Sequence, residues 1–363
     1  MNTNENMLEK KFMRLALDKA SQNLGSTKEN PSVGCVIVNN GSVISSGVTS
    51  LNGRPHAETN ALNSNKIFNG STMYVTLEPC THYGKTSPCV DMILKKRIKK
   101  VYYPILDFDK RTHNRAKKIL NKNNIKVKIG ILKEDALNFY KSYFLFKNKK
   151  SLPFVDAKIA ISKDFLSVSK KSKWITNNHS RDRVHLMRSK YDCILSTYKS
   201  VNKDNSKLNC RINGLEKLSP ARVIIDKNFK IKKNLNLYKS SKKIKTYIIT
   251  SANNKNKEKF LKSKKIKIIK IKNKKNFFSY EQILYKLKKI GFSRIFCESG
   301  FYTTNFLIKK RLIHNLYVFI SSKKLGRSGQ NSYKKLLSKL KFKKKKKLNI
   351  NLFGDELYRF KIK

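Results

Sequence analysis

His56-Ala57-Glu58, Glu78-Pro79-Cys80 and Cys89 place one imidazole, two thiols and two carboxylates within a short stretch of chain. One imidazole and two thiolates form a three-ligand zinc site with a fourth position left for water, whereas a structural zinc has four protein ligands. Zinc lowers the pKa of its bound water from about 15.7 to about 7. Cys80 and Cys89 must be thiolates to bind, and a helix N-terminus favours that form. Glu58 stands two residues after His56, so it can sit beside the metal-bound water without ligating the metal. There it can take the water's proton, pass it to a ring nitrogen and help an amine leave as ammonia, as in zinc nucleobase deaminases. Asn30, in Asn30-Pro31-Ser32-Val33-Gly34, can present its amide to the substrate.

Two alternatives stay open from the residues alone. His82 could be a fourth ligand that closes the zinc, or the cysteines could be unrelated core residues. His82 itself reads either as a substrate-contacting loop residue or as a solvated one. Eight residues separate Cys80 from Cys89, against two in the common deaminase signature. The polar, glycine-containing insert Thr81 to Pro88 looks like a loop that wraps a phosphorylated substrate.

The elements that must position these groups follow from patterning. Phe12, Leu15, Ala16, Leu17 and Ala20 give Glu9 to Leu24 the spacing of an amphipathic helix. Gly34 to Val38 and Val43 to Ser46 read as strands joined at Asn39-Asn40-Gly41. A helix is expected over Pro55 to Asn63, a strand over Met73 to Leu77, and a helix over Pro88 to Lys96 capped by Ser87 or Thr86. Strands follow at Val101 to Ile105 and Val127 to Ile131. This order argues for a layered α/β domain over 1–150, with Lys147 to Leu152 as linker.

Alternation restarts over 151–363. Strands are expected at Phe154 to Ile161, Cys193 to Ser196, Arg222 to Asp226, Thr246 to Thr250, Ile266 to Ile271, Arg294 to Cys297 and Leu316 to Ile320. Helices fit Arg181 to Ser189, Tyr280 to Ile290 and Thr303 to Lys310. Arg188 and Arg211 read as a phosphate clamp or as surface arginines. Trp174 is the single tryptophan, either core or cofactor-lining. Asp204 and Glu298 are scarce acids that either bind a hydroxyl or pair with lysine. Glu298-Ser299-Gly300 leads from strand to helix, where backbone N–H groups can approach a phosphate. No Gly-x-Gly-x-x-Gly fingerprint is present, so an ordinary Rossmann site is not expected.

At this point the sequence resembles a known family. "NPSVGCVIV" (Asn30 to Val38), "GRPHAE" (Gly53 to Glu58) and "TLEPCTHYGKTSPC" (Thr76 to Cys89) look like the deaminase half of the bifunctional deaminase/reductase of riboflavin biosynthesis. "PFVDAKIAIS", "SKWIT", "RDRVHLMRSKYDCIL", "KDNSKLNCR", "FCESG" and the terminal "FGDELYRFKIK" look like its reductase half. The resemblance implies a cytidine-deaminase-like three-layer domain followed by a dihydrofolate-reductase-like α/β domain. It implies one Zn2+ per chain and NADPH. It also implies a phosphorylated pyrimidine substrate: a diamino-pyrimidinone carrying a ribosylamino 5′-phosphate is deaminated, then reduced to 5-amino-6-(5-phosphoribitylamino)uracil.

Carried over by position, His56, Cys80 and Cys89 would hold zinc and Glu58 would carry protons. Ser172, Arg188, Leu208, Arg211 and Glu298 match positions that hold the reductase substrate. Ile161, Trp174, Ser200, Asp204 and the stretch from Gly300 match positions that hold NADPH. The chain departs from the family at Thr49, where many relatives have histidine, and at "STYKSV" (Ser196 to Val201), where a glycine-rich turn is usual. It departs again over Asp107 to Asn114, which lacks the usual proline- and glycine-rich form.

Composition bounds the rest. The chain has 363 residues, 39% of them hydrophobic and 10% aromatic, enough to bury a core and too many for a wholly disordered basic tail. Its 82 Lys+Arg against 23 Asp+Glu give a net charge of +59, spread along runs such as Lys262 to Lys275 and Lys341 to Lys347. That reads as a bias toward Lys, Asn and Ile over a globular pattern, so nucleic acid is not expected as the main partner. No apolar run approaches the roughly 18 residues of a membrane span, and Met1 to Lys10 lacks the apolar block of a secretory signal. Six cysteines are too few for a disulfide scaffold, so a cytoplasmic protein is expected. The family leaves a homo-oligomer open. Two other functions remain at this stage: a nucleic-acid base deaminase, and a deaminase with a non-catalytic C-terminal module.

Overall fold

A computed structural model describes residues 3–271, 279–340 and 345–363; the parts of the lysine runs at 272–275 and 341–344 lie outside them. The chain forms two compact units, Met1–Ser151 and Leu152–Lys363.

The first unit runs α1 (Thr3–Ser21), β1 (Gly34–Asn39), β2 (Ser42–Val48), α2 (Ala57–Leu62), β3 (Thr72–Val75), α3 (Cys89–Lys95), β4 (Lys100–Tyr103), α4 (Ala116–Lys122), β5 (Lys126–Ile129) and α5 (Lys133–Lys147). Its sheet has the order β2-β1-β3-β4-β5, antiparallel at β2-β1-β3 and parallel onward. Strand alternation divides the side chains between two faces. Val36, Val38, Tyr74 and Tyr102 pack against Met13 and Ala16 of α1. Cys35, Ile37, Met73, Val75 and Val101 pack against α2, α3 and α4. Three layers result.

Gly47 sets the approach of α2 to this sheet. A Cβ there would lie 2.3 Å from the Ala57 carbonyl oxygen and 2.6 Å from the Ala61 nitrogen, so no side chain fits between β2 and the helix that begins after His56.

The second unit runs β6 (Phe154–Ile161), β7 (Leu166–Ser169), α6 (Asn178–Arg188), β8 (Cys193–Thr197), α7 (Tyr198–Asp204), β9 (Ala221–Ile225), β10 (Thr246–Thr250), α8 (Lys255–Ser263), β11 (Lys267–Lys270), α9 (Tyr280–Lys289), β12 (Arg294–Cys297), α10 (Phe301–Lys309), β13 (Asn315–Ile320), β14 (Gly329–Ser332), α11 (Lys334–Lys339), β15 (Lys345–Lys347) and β16 (Glu356–Lys361). The main sheet has the order β11-β10-β9-β8-β12-β6-β13-β16-β15. β11 through β13 are mutually parallel, and β16 and β15 close the sheet antiparallel. One face packs on Ile283, Leu284 and Leu287 of α9 and Leu307 of α10. The other packs on Leu261 of α8 and, further along, on Val184 and Met187 of α6. No helix among the described residues is long and apolar enough to cross a membrane.

Several expectations need correction. α3 has Pro88 at its cap position and no side-chain cap, so neither Ser87 nor Thr86 serves; Thr86 Oγ1 instead accepts from Arg54 Nη1 at 2.6 Å. The "STYKSV" stretch is not an irregular turn. It opens α7, with the Thr197 side chain capping the Ser200 N–H. α10 starts at Phe301 rather than near Thr303, and α6 starts at Asn178 behind an Asn177 cap. α5 runs through Lys147, so the expected linker begins inside a helix.

We expect Gly47→Ala to displace α2 rather than fill a gap. Overpacking of this kind costs about 1–3 kcal/mol, so urea unfolding of the first unit should shift down by that amount, with a parallel loss of bound zinc measured by elemental analysis.

Candidate active sites

In the first unit, β2 returns the chain toward α2, and Thr49 anchors the return: its N–H donates to the Val33 oxygen and its hydroxyl accepts the Val33 N–H, each at 2.9 Å. Thr49 thus closes the strand pair, a job its size suits. His56 follows as the cap residue of α2, with Glu58 in the first turn and 4% exposed. β3 delivers the second segment. Its continuation is fixed by Thr76, whose hydroxyl meets Tyr140 Oη at 2.5 Å and accepts the Gly34 N–H at 3.0 Å. Glu78 then turns inward. Its carboxylate accepts three backbone N–H groups, from Asp107 (3.0 Å), Asn114 (3.1 Å) and Ala116 (3.1 Å).

Cys80 explains the missing cap. Its sulfur accepts the Cys89 N–H at 3.3 Å, and its carbonyl accepts the Val90 N–H at 3.3 Å. The first donors of α3 are therefore turned onto Cys80, and no Ser87 or Thr86 hydroxyl is needed to satisfy them. His56 Nδ1 lies 3.3 Å from Cys89 Sγ and 3.6 Å from Cys80 Sγ. Zinc bonds of about 2.0–2.3 Å at tetrahedral angles would hold nitrogen and sulfur about 3.5 Å apart. The donor set fits zinc in kind and spacing. His56, Cys80 and Cys89 form the metal-competent cluster found among the described residues, and His82 is not in it. His82 Nδ1 instead meets Thr112 Oγ1 at 3.1 Å, which removes the closed four-ligand alternative.

The charges suit this use. The Cys80 thiol is lowered to about 4, first by the hydrogen bond from Cys89 and against the cost of burial. Cys89 moves the opposite way, raised by the same sharing with Cys80 and then by burial. Burial pushes Glu58 up to about 7, opposed mainly by the nearby His56 charge. A carboxyl poised there can both accept and return a proton near neutral pH.

A cleft opens above this floor. Asn30 lines it, with its amide nitrogen held to the Gly53 oxygen at 2.8 Å. Sequence reasoning did not find Arg54, Asp107, Arg111, Tyr143 and Lys147, which line it too. Arg54 stands two residues before His56 on the connection from β2 to α2, and the others arrive on α5 and on the loop bound to Glu78. Asp107 Oδ1 accepts Tyr143 Oη at 2.9 Å, and Asp109 takes Arg111 in a bidentate pair at 2.9 and 2.7 Å. The departure of Asp107 to Asn114 from the family pattern was the one signal pointing here.

In the second unit, Arg188 and Glu298 meet as a buried bidentate pair: Nε to Oε1 at 2.6 Å and Nη2 to Oε2 at 2.9 Å. Arg188 Nη1 also donates to the Asn209 oxygen at 2.9 Å. Its guanidinium is therefore held by Glu298 and Asn209. Arg211 is exposed, with one bond to Asn209 Oδ1 at 2.9 Å, so it keeps donors for an anion. Lys158 lies 3.8 Å from Glu298. Burial lowers its pKa, while Glu298 is held below its ordinary value by Arg188 against the cost of burial. Burial raises Asp204.

The remaining positions divide. Ser200 and Gly300 adjoin: a Cβ on Gly300 would lie 3.5 Å from Ser200 Oγ. Gly300 caps α10, whose first N–H groups give a negatively charged cofactor a place to bind. Ser172 and Trp174 share one loop, with Ser172 Oγ donating to the Trp174 oxygen at 2.9 Å. Trp174 is 55% exposed, under the Arg181 guanidinium at 4.7 Å, which excludes the core alternative. Ile161 and Leu208 are buried in apolar clusters, so only their backbones can face a ligand.

Comparison with known proteins places these sites in context. Residues 7–105 match the family described as cytidine and deoxycytidylate deaminase zinc-binding region, and residues 153–352 match the RibD C-terminal domain. The riboflavin biosynthesis protein RibD of Aquifex aeolicus is 31% identical over 359 residues, covering 97% of this chain and 98% of that protein. The crystal structure of a diaminohydroxyphosphoribosylaminopyrimidine deaminase/5-amino-6-(5-phosphoribosylamino)uracil reductase from Thermotoga maritima superposes with a TM-score of 0.84 at 27% identity, covering 99% of this chain and 100% of that one. A structure of Acinetobacter baumannii RibD gives a TM-score of 0.82 at 25% identity, covering 99% of each chain.

Removing one partner of a buried pair costs about 3–5 kcal/mol because the other charge is left uncompensated. Glu298→Ala should lower the stability of the second unit by that amount in denaturant unfolding, and adding Arg188→Met should restore a large part of it.

Proposed function

The chain belongs to the RibD family of riboflavin-biosynthesis proteins, and from that premise we propose how its residues divide a deaminase and a reductase reaction. The protein is a bifunctional enzyme that uses zinc and NADPH. The match over 153–352 sets aside the non-catalytic reading of the second half, and membership of this family sets aside the nucleic-acid base deaminase.

The deamination replaces an exocyclic C–NH2 by C=O, consuming water and releasing ammonia. His56 Nδ1, Cys80 Sγ and Cys89 Sγ are the zinc ligands. When bound there, zinc supplies the Lewis acidity that makes water a nucleophile at neutral pH. Glu58 takes the water's proton, delivers it to the ring nitrogen, and assists the departure of the amine. The observation that carries this assignment is the convergence of the three donors within 4.8 Å, with the buried Glu58 in the first turn after His56. Asn30 and His82 hold the pyrimidinone and its ribosylamino phosphate at the mouth of the cleft.

The reduction adds a hydride and a proton to the ribosyl group, opening it to ribityl. NADPH supplies the hydride. Ser200, Gly300 and the start of α10 hold its phosphates, Trp174 and the Ile161 backbone flank it, and Asp204 takes a hydroxyl. Ser172, the Leu208 backbone and Arg211 hold the phosphorylated substrate. Arg188 keeps Glu298 ionised and fixed, and Glu298 faces Lys158, a partly buried ammonium able to give the proton. None of the six cysteines is joined in a disulfide, in keeping with a cytoplasmic location.

Purified protein given the diamino-pyrimidinone phosphate should release ammonia without NADPH and yield the ribitylamino product with it, identified by mass. Glu58→Gln should slow ammonia release by about 10²–10⁴-fold with zinc content unchanged. Undiminished ammonia release would remove Glu58 from the proton path.

A further inference from the structure

The basic charge of this chain is not evenly laid. Residues 227–271 contain sixteen lysines and one glutamate, so about an eighth of the chain carries about a quarter of the net +59. By contrast, residues 152–226 hold fifteen Lys+Arg against seven Asp+Glu. Fourteen of the sixteen lysines are exposed. The one acid, Glu258, is already neutralised by Lys270 at 2.6 Å. These residues build β10, α8 and β11, the free edge of the nine-stranded sheet.

The charge also converges locally. The ammonium groups of Lys233, Lys257 and Lys264 lie 5.7, 6.0 and 5.8 Å from the ring centre of Phe260. Phe260 is half-buried and packs edge-on against Tyr238 at 5.4 Å. Lys257 is partly offset by the buried Asp226 and donates to the Ile231 oxygen, while Lys233 and Lys264 stay exposed beside the ring, which makes a site for phosphates. Lysines interleaved with an aromatic are the recognition elements of nucleic-acid backbones. Membrane insertion is not favoured, because none of the large exposed apolar side chains falls within 227–271. Nor is this the reductase site: four strand spacings of about 4.8 Å put β11 about 19 Å from β12, which leads to Glu298.

We propose that the β10–α8–β11 edge of the second unit is a sequence-independent binding surface for the phosphate backbone of single-stranded RNA, separate from both reactions. Binding there releases condensed counterions, so it weakens steeply with salt. Lys233 and Lys264, gathered beside Phe260, take adjacent phosphates.

The test uses the full-length enzyme and a poly(U) oligonucleotide, with affinity measured across a range of salt concentrations. Three exposed lysines are reversed together in the patch: Lys233→Glu, Lys262→Glu and Lys264→Glu. A control reverses Lys117, Lys118 and Lys122 on α4 of the first unit, all exposed. The patch variant should lose affinity about tenfold or more, with its log–log salt slope reduced by about 2, since each single-strand phosphate contact contributes about 0.7. The control should change little. Both variants should keep ammonia release and NADPH oxidation, which shows that they fold; a Lys→Gln triple at the patch covers the case where reversal alone destabilises it. Equal losses in the patch variant and the control would mean a diffuse field and overturn the proposal. Absence of RNA binding in the parent enzyme would overturn it as well. So would loss of binding to phosphatidylserine vesicles with RNA affinity retained.

Discussion

The first unit depends on the sulfur of Cys80 meeting the start of helix α3. A helix beginning at Cys89 leaves its first N–H groups unpaired, and here the Cys89 donor is directed at a sulfur rather than at a capping side chain. One contact therefore satisfies the helix, favours the thiolate form of Cys80 and fixes Cys89 beside it. His56 reaches the same point from α2, which Gly47 allows to lie directly on β2. The eight residues between the two cysteines are free to form a loop because their ends are already tied together.

Glu78 extends this arrangement outward. Two residues before Cys80, its buried carboxylate gathers the N–H groups of Asp107, Asn114 and Ala116. The loop that furnishes Asp107, Asp109 and Arg111 to the cleft is thus folded around a side chain anchored two residues from Cys80. The second unit reaches a comparable rigidity by a different route. Arg188 and Glu298 satisfy each other at the end of β12, and Arg188 ties in the Asn209 carbonyl, so the loop that carries Arg211 is held to the same pair.

Much of the site was legible because metal chemistry restricts residue type. Only a few side chains ligate zinc, so His56, Cys80 and Cys89 announce themselves in one sequence, and Glu58 follows from its place beside them. Glu78 and Lys158 were not legible. Glu78 follows the end of β3 and Lys158 lies in the middle of β6, and the importance of each lies in what folds against it from far along the chain: Asp107 and Ala116 for one, Glu298 for the other. The parallel strands were readable as β-branched apolar runs. α5 was not, since its polar and aromatic residues lack a clean apolar stripe; Tyr140 and Tyr143 are buried through hydroxyls that bond Thr76 and Asp107. The family pattern puts a glycine-rich turn at "STYKSV", whereas here Thr197, whose hydroxyl accepts the Ser200 N–H, is an ordinary helix cap.

The scarcity of acids has a structural consequence. Seven of the 23 Asp and Glu residues are buried: Glu9, Glu58, Glu78, Asp107, Asp156, Asp226 and Asp355. Several hold backbone donors that no lysine could satisfy. Asp226 accepts the N–H groups of Lys230 and Ile231 at 2.8 Å each, and Asp355 binds the Asn177 N–H and the Ser180 hydroxyl. A bias toward lysine can replace an exposed glutamate at little cost, but replacing one of these leaves buried N–H groups unpaired, at about 1–3 kcal/mol each. The acids that persist are therefore enriched where the fold requires a carboxylate. The surface is left with even fewer counter-charges than the totals suggest, and its lysines rely on solvent and salt to moderate their repulsion.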